Sequence, residues 1–326
     1  MRSPGLKARP TLSRVGGTCE GALVKVAEAA SVPATKAISD RRALDLVALT
    51  KPRLNLLVLI TTLGGLYLAS PGGVPLLLLV HTLVGTALVA GGAAALNQVW
   101  ERETDARMRR TSGRPLPSGR LTINEAAWFG ILLSIIGLFE LAIGVNVTAA
   151  NVALVTWASY VLLYTPLKTR TSLATLVGAI PGALPPVIGW AAASGTITLP
   201  ALVLFGIVFL WQMPHFLAIA WMYRDDYTNA RIPLLPVIEP DGRRTGHQAL
   251  LYAAALWPVS LLPALVGLAG APYSIVASCL GFVFIGLAAL FARDRTQPNA
   301  RRLFLFSLTY LTLLWSALVV DRIFLR

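Results

Sequence analysis

Long apolar runs alternate with short polar connections along nearly the whole chain. The runs fall at roughly 54–69, 76–96, 123–143, 147–165, 172–192, 200–222, 249–268, 273–292 and 303–320. Each is near the ~20 residues a helix needs to cross the hydrocarbon of a bilayer. The ten-residue alternating segments of a membrane β-barrel are absent. The pattern therefore predicts an all-α integral membrane protein, a bundle of about nine transmembrane helices spanning residues 48–326. Residues 1–47 read as a polar, disordered N-terminal tail.

The connections are of two kinds, and they alternate. Residues 70–75, 144–149, 194–199 and 269–272 hold no Lys or Arg. The others are loaded: Arg41, Arg42, Lys51 and Arg53 before the first run; Arg102, Arg107, Arg109, Arg110, Arg114 and Arg120 after the second; Lys168 and Arg170 after the fourth; Arg224, Arg231, Arg243 and Arg244 after the sixth; Arg293, Arg295, Arg301 and Arg302 after the eighth. Cytoplasmic loops carry the excess of basic residues, so the N-terminus is expected inside and the C-terminus outside.

Composition agrees with the pattern. Of 326 residues 56% are hydrophobic and 13% charged, and the mean hydropathy is +0.68. The net charge of +13 would suggest nucleic acid in a soluble protein. In a membrane protein it reports topology first and anionic partners second, so no nucleic-acid partner is expected and the bilayer is. Cys19 and Cys279 offer neither a disulfide framework nor a metal spacing. The first nineteen residues hold Arg2, Lys7, Arg9 and Arg14 and no acid, which weakly resembles a transit peptide, but Glu20 and Glu28 soon follow. A bacterial inner membrane is therefore preferred to a mitochondrial one.

Topology does not explain the acids, which contribute little to orientation. Asn97, Glu101 and Asp105 are spaced i, i+4, i+8 and share one face if the second helix continues past its apolar run. Two carboxylates and an amide oxygen are hard ligands of the kind that hold Mg²⁺ together with substrate phosphates and water. The alternative is a solvated helix end in which Glu101 and Asp105 pair with Arg109. Glu103 is a reserve ligand.

A second constellation lies in "WQMPHFLAIAWMYRDDYTNARIPLLPV", Trp211 to Val237. Asp225 and Asp226 end the sixth helix on the side of the first cluster. His215 precedes Asp226 by three turns, about 16 Å, inside the membrane region. It is either packed by a hydrogen bond to a neighbouring helix or a contact for a substrate lying deeper than phosphates, with Pro214 opening the helix locally. In "YTPLKTRT", Tyr164 to Thr171, Lys168 and Arg170 are either topology markers or a point charge and a fork for a diphosphate. "GAIPGALPPVIGW", Gly178 to Trp190, marks a packing seam or cavity wall. Acids from separate helix pairs ringed by cations suit a lipidic diphosphate, with Mg²⁺ acting on the leaving group. Trp100 or Tyr164 could face the allylic cation.

These stretches, with "NQVWERETDARMRRTSGRPLPSGR" (Asn97 to Arg120) and "TKPRLN" (Thr50 to Asn55), resemble the haem O synthase branch of the UbiA superfamily of intramembrane prenyltransferases. The resemblance runs from about residue 48 to the end. It implies a nine-helix bundle with a central cavity, Mg²⁺ as cofactor, and farnesyl diphosphate and haem B as substrates. The farnesyl group goes to a vinyl group of haem B, giving haem O, with a haem A synthase as a further partner. By the same resemblance Asn97, Glu101 and Asp105 form the first motif, with Glu101 and Asp105 as metal ligands. Arg109, Arg110 and Arg114 stand near the diphosphate, and Tyr164 and Lys168 match the Tyr and Lys after the fourth helix. Asp226 matches the acid of the second motif, Asp225 joins it as metal ligand and substrate contact, and His215 matches a histidine that contacts haem. The superfamily often places two acids four apart in that motif; here Met222 and Ala230 flank Asp226 at that spacing.

Rival readings are a UbiA-type enzyme acting on an aromatic or quinone precursor, and a transporter. Transporters bind near the midplane, whereas the ionisable residues here gather at one rim. The acid inside a span, Glu140, lies near the outer end, where it is expected to reach the headgroups, and His81 has no evident partner in the sequence.

Overall fold

The computed structural model describes residues 41–324. Residues 41–44 fall with the N-terminal unit, and the second unit begins at Asp45. The expected tail therefore lies largely outside the described residues, although Arg41–Leu49 is helical.

Nine long helices follow in order: α1 Pro52–Leu68, α2 Leu76–Trp100, α3 Ile123–Gly144, α4 Val147–Leu167, α5 Ala174–Ser194, α6 Leu199–Met222, α7 Arg243–Leu265, α8 Ala271–Arg293 and α9 Gln297–Phe324. Eight, α2 to α9, are long and apolar enough to cross a membrane, and a ninth is reached if Arg41–Leu49 and α1 form one span. No strand occurs among the described residues. The chain is a multi-pass membrane protein. Helix positions follow the hydropathy reading closely, but α7 and α9 begin six residues earlier than their apolar runs. Both start with polar turns, Arg243 to Gln248 and Gln297 to Arg302, which keep helical hydrogen bonding where hydropathy no longer marks them.

Without a hydrophobic drive between helices, close packing must hold the bundle. The α2–α3 seam shows how. A Cβ on Gly92 would lie 2.6 Å from the Gly130 carbonyl oxygen, and one on Gly137 would lie 2.7 Å from the Val89 amide. Between α1 and α5 a Cβ on Gly189 would overlap the Thr62 carbonyl. The α2–α3 contacts fix α2, whose C-terminal end carries the first acidic motif. The helix α6 runs unbroken through Pro214, so the local opening expected there does not occur.

Candidate active site

Pro52 disfavours the right-handed helical region for the residue before it. Lys51 leaves it for the left-handed region, φ 50°, ψ 61°, which breaks the helix between Leu49 and α1. Its ammonium donates to Asn97 Oδ1 at 2.7 Å. Asn97, 1% exposed, donates in turn to Thr165 Oγ1 at 3.1 Å. The helix α2 ends at Trp100, yet the i→i−4 ladder continues: Glu101 N donates to Asn97 O at 2.9 Å and Asp105 N to Glu101 O at 2.8 Å. The predicted i, i+4, i+8 face is therefore kept through a short helix, Arg102–Ala106.

Each oxygen-bearing side chain on that face meets one cation. Lys168 Nζ donates to both Glu101 oxygens at 2.9 and 3.0 Å. Arg114 donates to Asp105 Oδ2 at 2.6 Å. Glu101 and Asp105 are buried, at 4% and 1% exposed. Burial pushes the Glu101 carboxyl up, but Lys168 and then Lys51 outweigh it and hold it below the usual range. Burial pulls Lys168 down, but Tyr164 and Glu101 raise it above the ordinary lysine value. Lys51 is lowered to about 8, chiefly by burial, with Glu101 opposing and Arg114 and Lys168 reinforcing.

Lys168 reaches Glu101 because α4 changes its winding. Residues Ser159–Tyr164 form a π-helical turn, a local irregularity common at functional sites. Thr165 Oγ1 caps it by donating to the Tyr160 carbonyl at 2.8 Å. Tyr160 and Tyr164 stack with ring centres 5.4 Å apart, and Lys168 Nζ lies 6.0 Å from the Tyr164 ring centre. Gly178 leaves the space that ring occupies.

The loop from Glu101 to Leu121 folds back on itself. Thr111 Oγ1 donates to the Asp105 carbonyl at 2.8 Å, Arg120 pairs with Asp45 at 3.0 Å, and Leu116 and Leu121 pack with Leu49, Ala95 and Ala126. The loop also touches the second acidic segment. Met108 packs with Tyr227, Ala230 and Ile232, Arg110 donates to Tyr227 Oη at 3.3 Å, and its guanidinium lies 5.3 Å over Tyr223. Both acidic segments thus occupy one end of the bundle. Lys51 and Arg231 (φ 55°), the non-glycine residues with positive φ among those described, both lie in this end's loops.

The structure sorts the expected residues. Asn97, Glu101, Asp105, Lys168, Tyr164 and Arg114 come together. Glu101, not Glu103, belongs to the cluster; the Glu103 side chain is 76% exposed and pairs with Arg102. Neither Glu101 nor Asp105 pairs with Arg109, which is exposed, as is Arg170. The four-carboxylate metal set does not converge: among the described residues no three His, Cys, Asp or Glu side chains stand close enough to hold a metal ion. Asp225 is 96% exposed and 3.8 Å from Arg224, and Asp226 is half-buried, because Tyr227 rather than the acids turns toward the first loop. His215 is buried, bonded through Nδ1 to Ser307 at 2.7 Å and stacked on Trp211. Lys51, Thr165 and Tyr227 were not foreseen as site residues. His81, without an evident partner in the sequence, pairs with Glu140 at 2.6 Å across α2 and α3.

The donor set fits a divalent cation. Asp105 Oδ1 is buried without a hydrogen-bond partner, an orphan that costs free energy unless something binds it. Its neighbours on the face are a second carboxylate and an amide oxygen, hard ligands of the Mg²⁺ type.

The UbiA prenyltransferase family matches residues 58–313, and the chain belongs to that family. Within it, the chain is 49% identical over 287 residues to a protoheme IX farnesyltransferase of Solibacter usitatus, covering 85% of this chain and 98% of that one. It is 48% identical over 280 residues to the protoheme IX farnesyltransferase of Myxococcus xanthus, covering 86% and 95%. Among solved structures it superposes on a digeranylgeranylglyceryl phosphate synthase with a TM-score of 0.75 at 19% identity, covering 87% of this chain and 99% of that one. A UbiA homologue from Archaeoglobus fulgidus bound to GPP and Mg²⁺ gives 0.61 at 15% identity, covering 85% and 99%. These structural likenesses concern the fold.

Proposed function

We propose that this chain transfers the farnesyl group of farnesyl diphosphate to a vinyl group of haem B, giving haem O, in a Mg²⁺-dependent reaction. The observation that carries the reading is the one-to-one pairing of three buried oxygen-bearing side chains with three cations, Asn97 with Lys51, Glu101 with Lys168 and Asp105 with Arg114. This polar knot closes one end of an otherwise apolar bundle. Similarity to protoheme IX farnesyltransferases over nearly their whole length supports the choice of acceptor.

Asn97, Glu101 and Asp105 would hold the metal, with Asp226 brought up from the second segment. Bound there, Mg²⁺ supplies Lewis-acid charge at the departing diphosphate. Lys51, Lys168 and Arg114, released from their resting partners, bind diphosphate oxygens, with Arg110, Arg109 and Arg170 as outer positive charge. The stacked faces of Tyr160 and Tyr164 would meet the developing allylic cation; such a contact is worth up to about 2 kcal/mol when desolvated. The haem vinyl group forms the new C–C bond to the farnesyl C1. Water then adds at the resulting cationic carbon and loses a proton, giving the hydroxyl, while diphosphate is released. His215 contacts the haem, deeper in the bundle. The loaded loops face the cytoplasm of a bacterial inner membrane, and a haem A synthase receives the product.

The test is mass spectrometry of haems extracted from cells expressing the chain with Asp226 intact or replaced by Asn. Farnesylated haem in the first alone is expected. A prenylated aromatic or quinone precursor without farnesylated haem would overturn the acceptor, and no prenylated product would overturn the enzyme.

A further inference from the structure

His215 and Ser307 sit in the buried contact between α6 and α9, at 9% and 0% exposed. The hydrogen bonds there run in one direction. The Ser307 hydroxyl donates to the Phe304 carbonyl at 2.6 Å. Its single proton is thereby used, so toward His215 its oxygen can only accept, at 2.7 Å from Nδ1. Nδ1 therefore carries the proton. An imidazole this buried, with no carboxylate partner among the described residues, is neutral, since an unpaired charge there would go unsolvated. In the neutral ring one nitrogen is protonated and the other bare, which leaves the lone pair on Nε2. No hydrogen-bond partner takes Nε2 among the described residues. Flat rings bracket the imidazole: Trp211 at 5.0 Å, Phe304 at 4.9 Å and Phe216 at 5.6 Å between centres. Ser307 holds Trp211 as well, its carbonyl accepting from Nε1 at 2.6 Å.

We infer that Ser307 is a positioning residue for the acceptor: by fixing His215 as the Nδ1–H tautomer in an aromatic box, it presents the Nε2 lone pair as an axial ligand for the iron of a porphyrin. The inference deepens the haem reading above and rests on it. A histidine that served packing alone could exchange tautomers without consequence, whereas an iron ligand needs a bare nitrogen and a partner on the other one.

Two measurements on the full-length chain in detergent test it, both without farnesyl diphosphate. The first is ¹⁵N NMR of labelled histidine; the chain has three, and His215→Gln identifies the signal. Protonated Nδ1 and bare Nε2 are expected in the unsubstituted chain and in Ser307→Thr, with a mixed or inverted tautomer in Ser307→Ala. The second is titration with hemin, read by absorption and electron paramagnetic resonance. Imidazole-ligated iron is expected in the unsubstituted chain and in Ser307→Thr, lost in His215→Gln, with affinity about 10- to 100-fold weaker in Ser307→Ala, the usual cost of removing the group behind a ligating histidine. A protonated Nε2 in the unsubstituted chain, or unchanged hemin affinity and ligation in Ser307→Ala, overturns the inference. If Ser307→Ala does not fold, the unsubstituted chain and Ser307→Thr still decide it. A chain that makes haem O but never ligates iron through imidazole overturns this inference alone; one that makes no haem O overturns the reading beneath it.

Discussion

The two acidic segments lie against each other at one end of the bundle but are built differently. In the first, Glu101 and Asp105 are almost fully buried and each is matched to a cation, Lys168 from the end of α4 and Arg114 from the same loop. In the second, the Asp225 side chain is 96% exposed and Asp226 is half-buried. What anchors the second segment is apolar and aromatic: Tyr227, Ala230 and Ile232 against Met108. Buried carboxylates must be compensated at rest or the fold loses stability. Half-exposed ones are solvated by water and can wait. On the proposed function, the first segment is a preorganised cradle whose cations would also meet diphosphate, and the second a loosely charged wall that the substrate's own charge would complete.

The largest effects should come from one acid on each side. Asp105→Asn and Asp226→Asn are each expected to insert normally and to lower haem O formation about 100-fold or more, the scale on which a preorganised electrostatic group is missed. Mass spectrometry of extracted haems, beside quantitation of inserted protein, measures this. Full activity in Asp226→Asn would break the comparison, leaving the second segment a mere lid.

The difference between the segments was only partly legible in the sequence. Hydropathy located every long helix, because about twenty apolar residues admit no other reading in a bilayer. The i, i+4, i+8 spacing located the first face, because helical geometry is local. Neither could reveal Lys51, which reaches Asn97 across 46 residues, and the positive-inside rule had already given that lysine a sufficient reason to exist. Tyr227 was hidden in the same way behind the adjacent acids. His81 and Glu140, 59 residues apart, carried no spacing signal, and only the α2–α3 packing brings them together.

Next in size is the stability of the cradle. Breaking a buried pair from one side leaves an uncompensated charge and costs about 3–5 kcal/mol, whereas replacing both partners can be near neutral. Lys168 is 17% exposed at its side chain and Glu101 4%. Lys168→Met alone should therefore lower the melting temperature sharply, and Lys168→Met with Glu101→Gln should recover much of it. Thermal melts in detergent check this. Additive losses would mean that the two side chains do not compensate each other in the folded protein.

A smaller effect follows from Lys51, lowered by burial to about 8 from its ordinary 10.5. Between those values the folded chain binds fewer protons here than the unfolded chain. Stability from this group therefore rises with pH through that window and is lowest below about 8. Diphosphate binding should move the other way, since above about pH 8 the cradle loses one of its three cations. Farnesyl diphosphate affinity is expected to fall by up to about tenfold per pH unit there, and Lys51→Arg, charged throughout, should flatten the profile. An identical fall in the arginine variant would place the titration elsewhere.

The smallest expected change separates the two neighbouring acids of the wall. Asp225 extends into solvent, 3.8 Å from an Arg224 that is itself 41% exposed at its side chain. Surface pairs of this kind contribute about 0–1 kcal/mol, and substitutions away from buried features usually change stability by no more than about 0.5 kcal/mol. Asp225→Asn should therefore melt within a degree or two of the unsubstituted chain and keep haem O formation within about threefold. Asp226→Asn, one residue along on the half-buried side of the short helix Arg224–Asn229, should not. If Asp225→Asn proves as damaging as its neighbour, the segment must rotate on binding to carry both acids inward. The wall would then be a moving part rather than a surface completed by the substrate's charge.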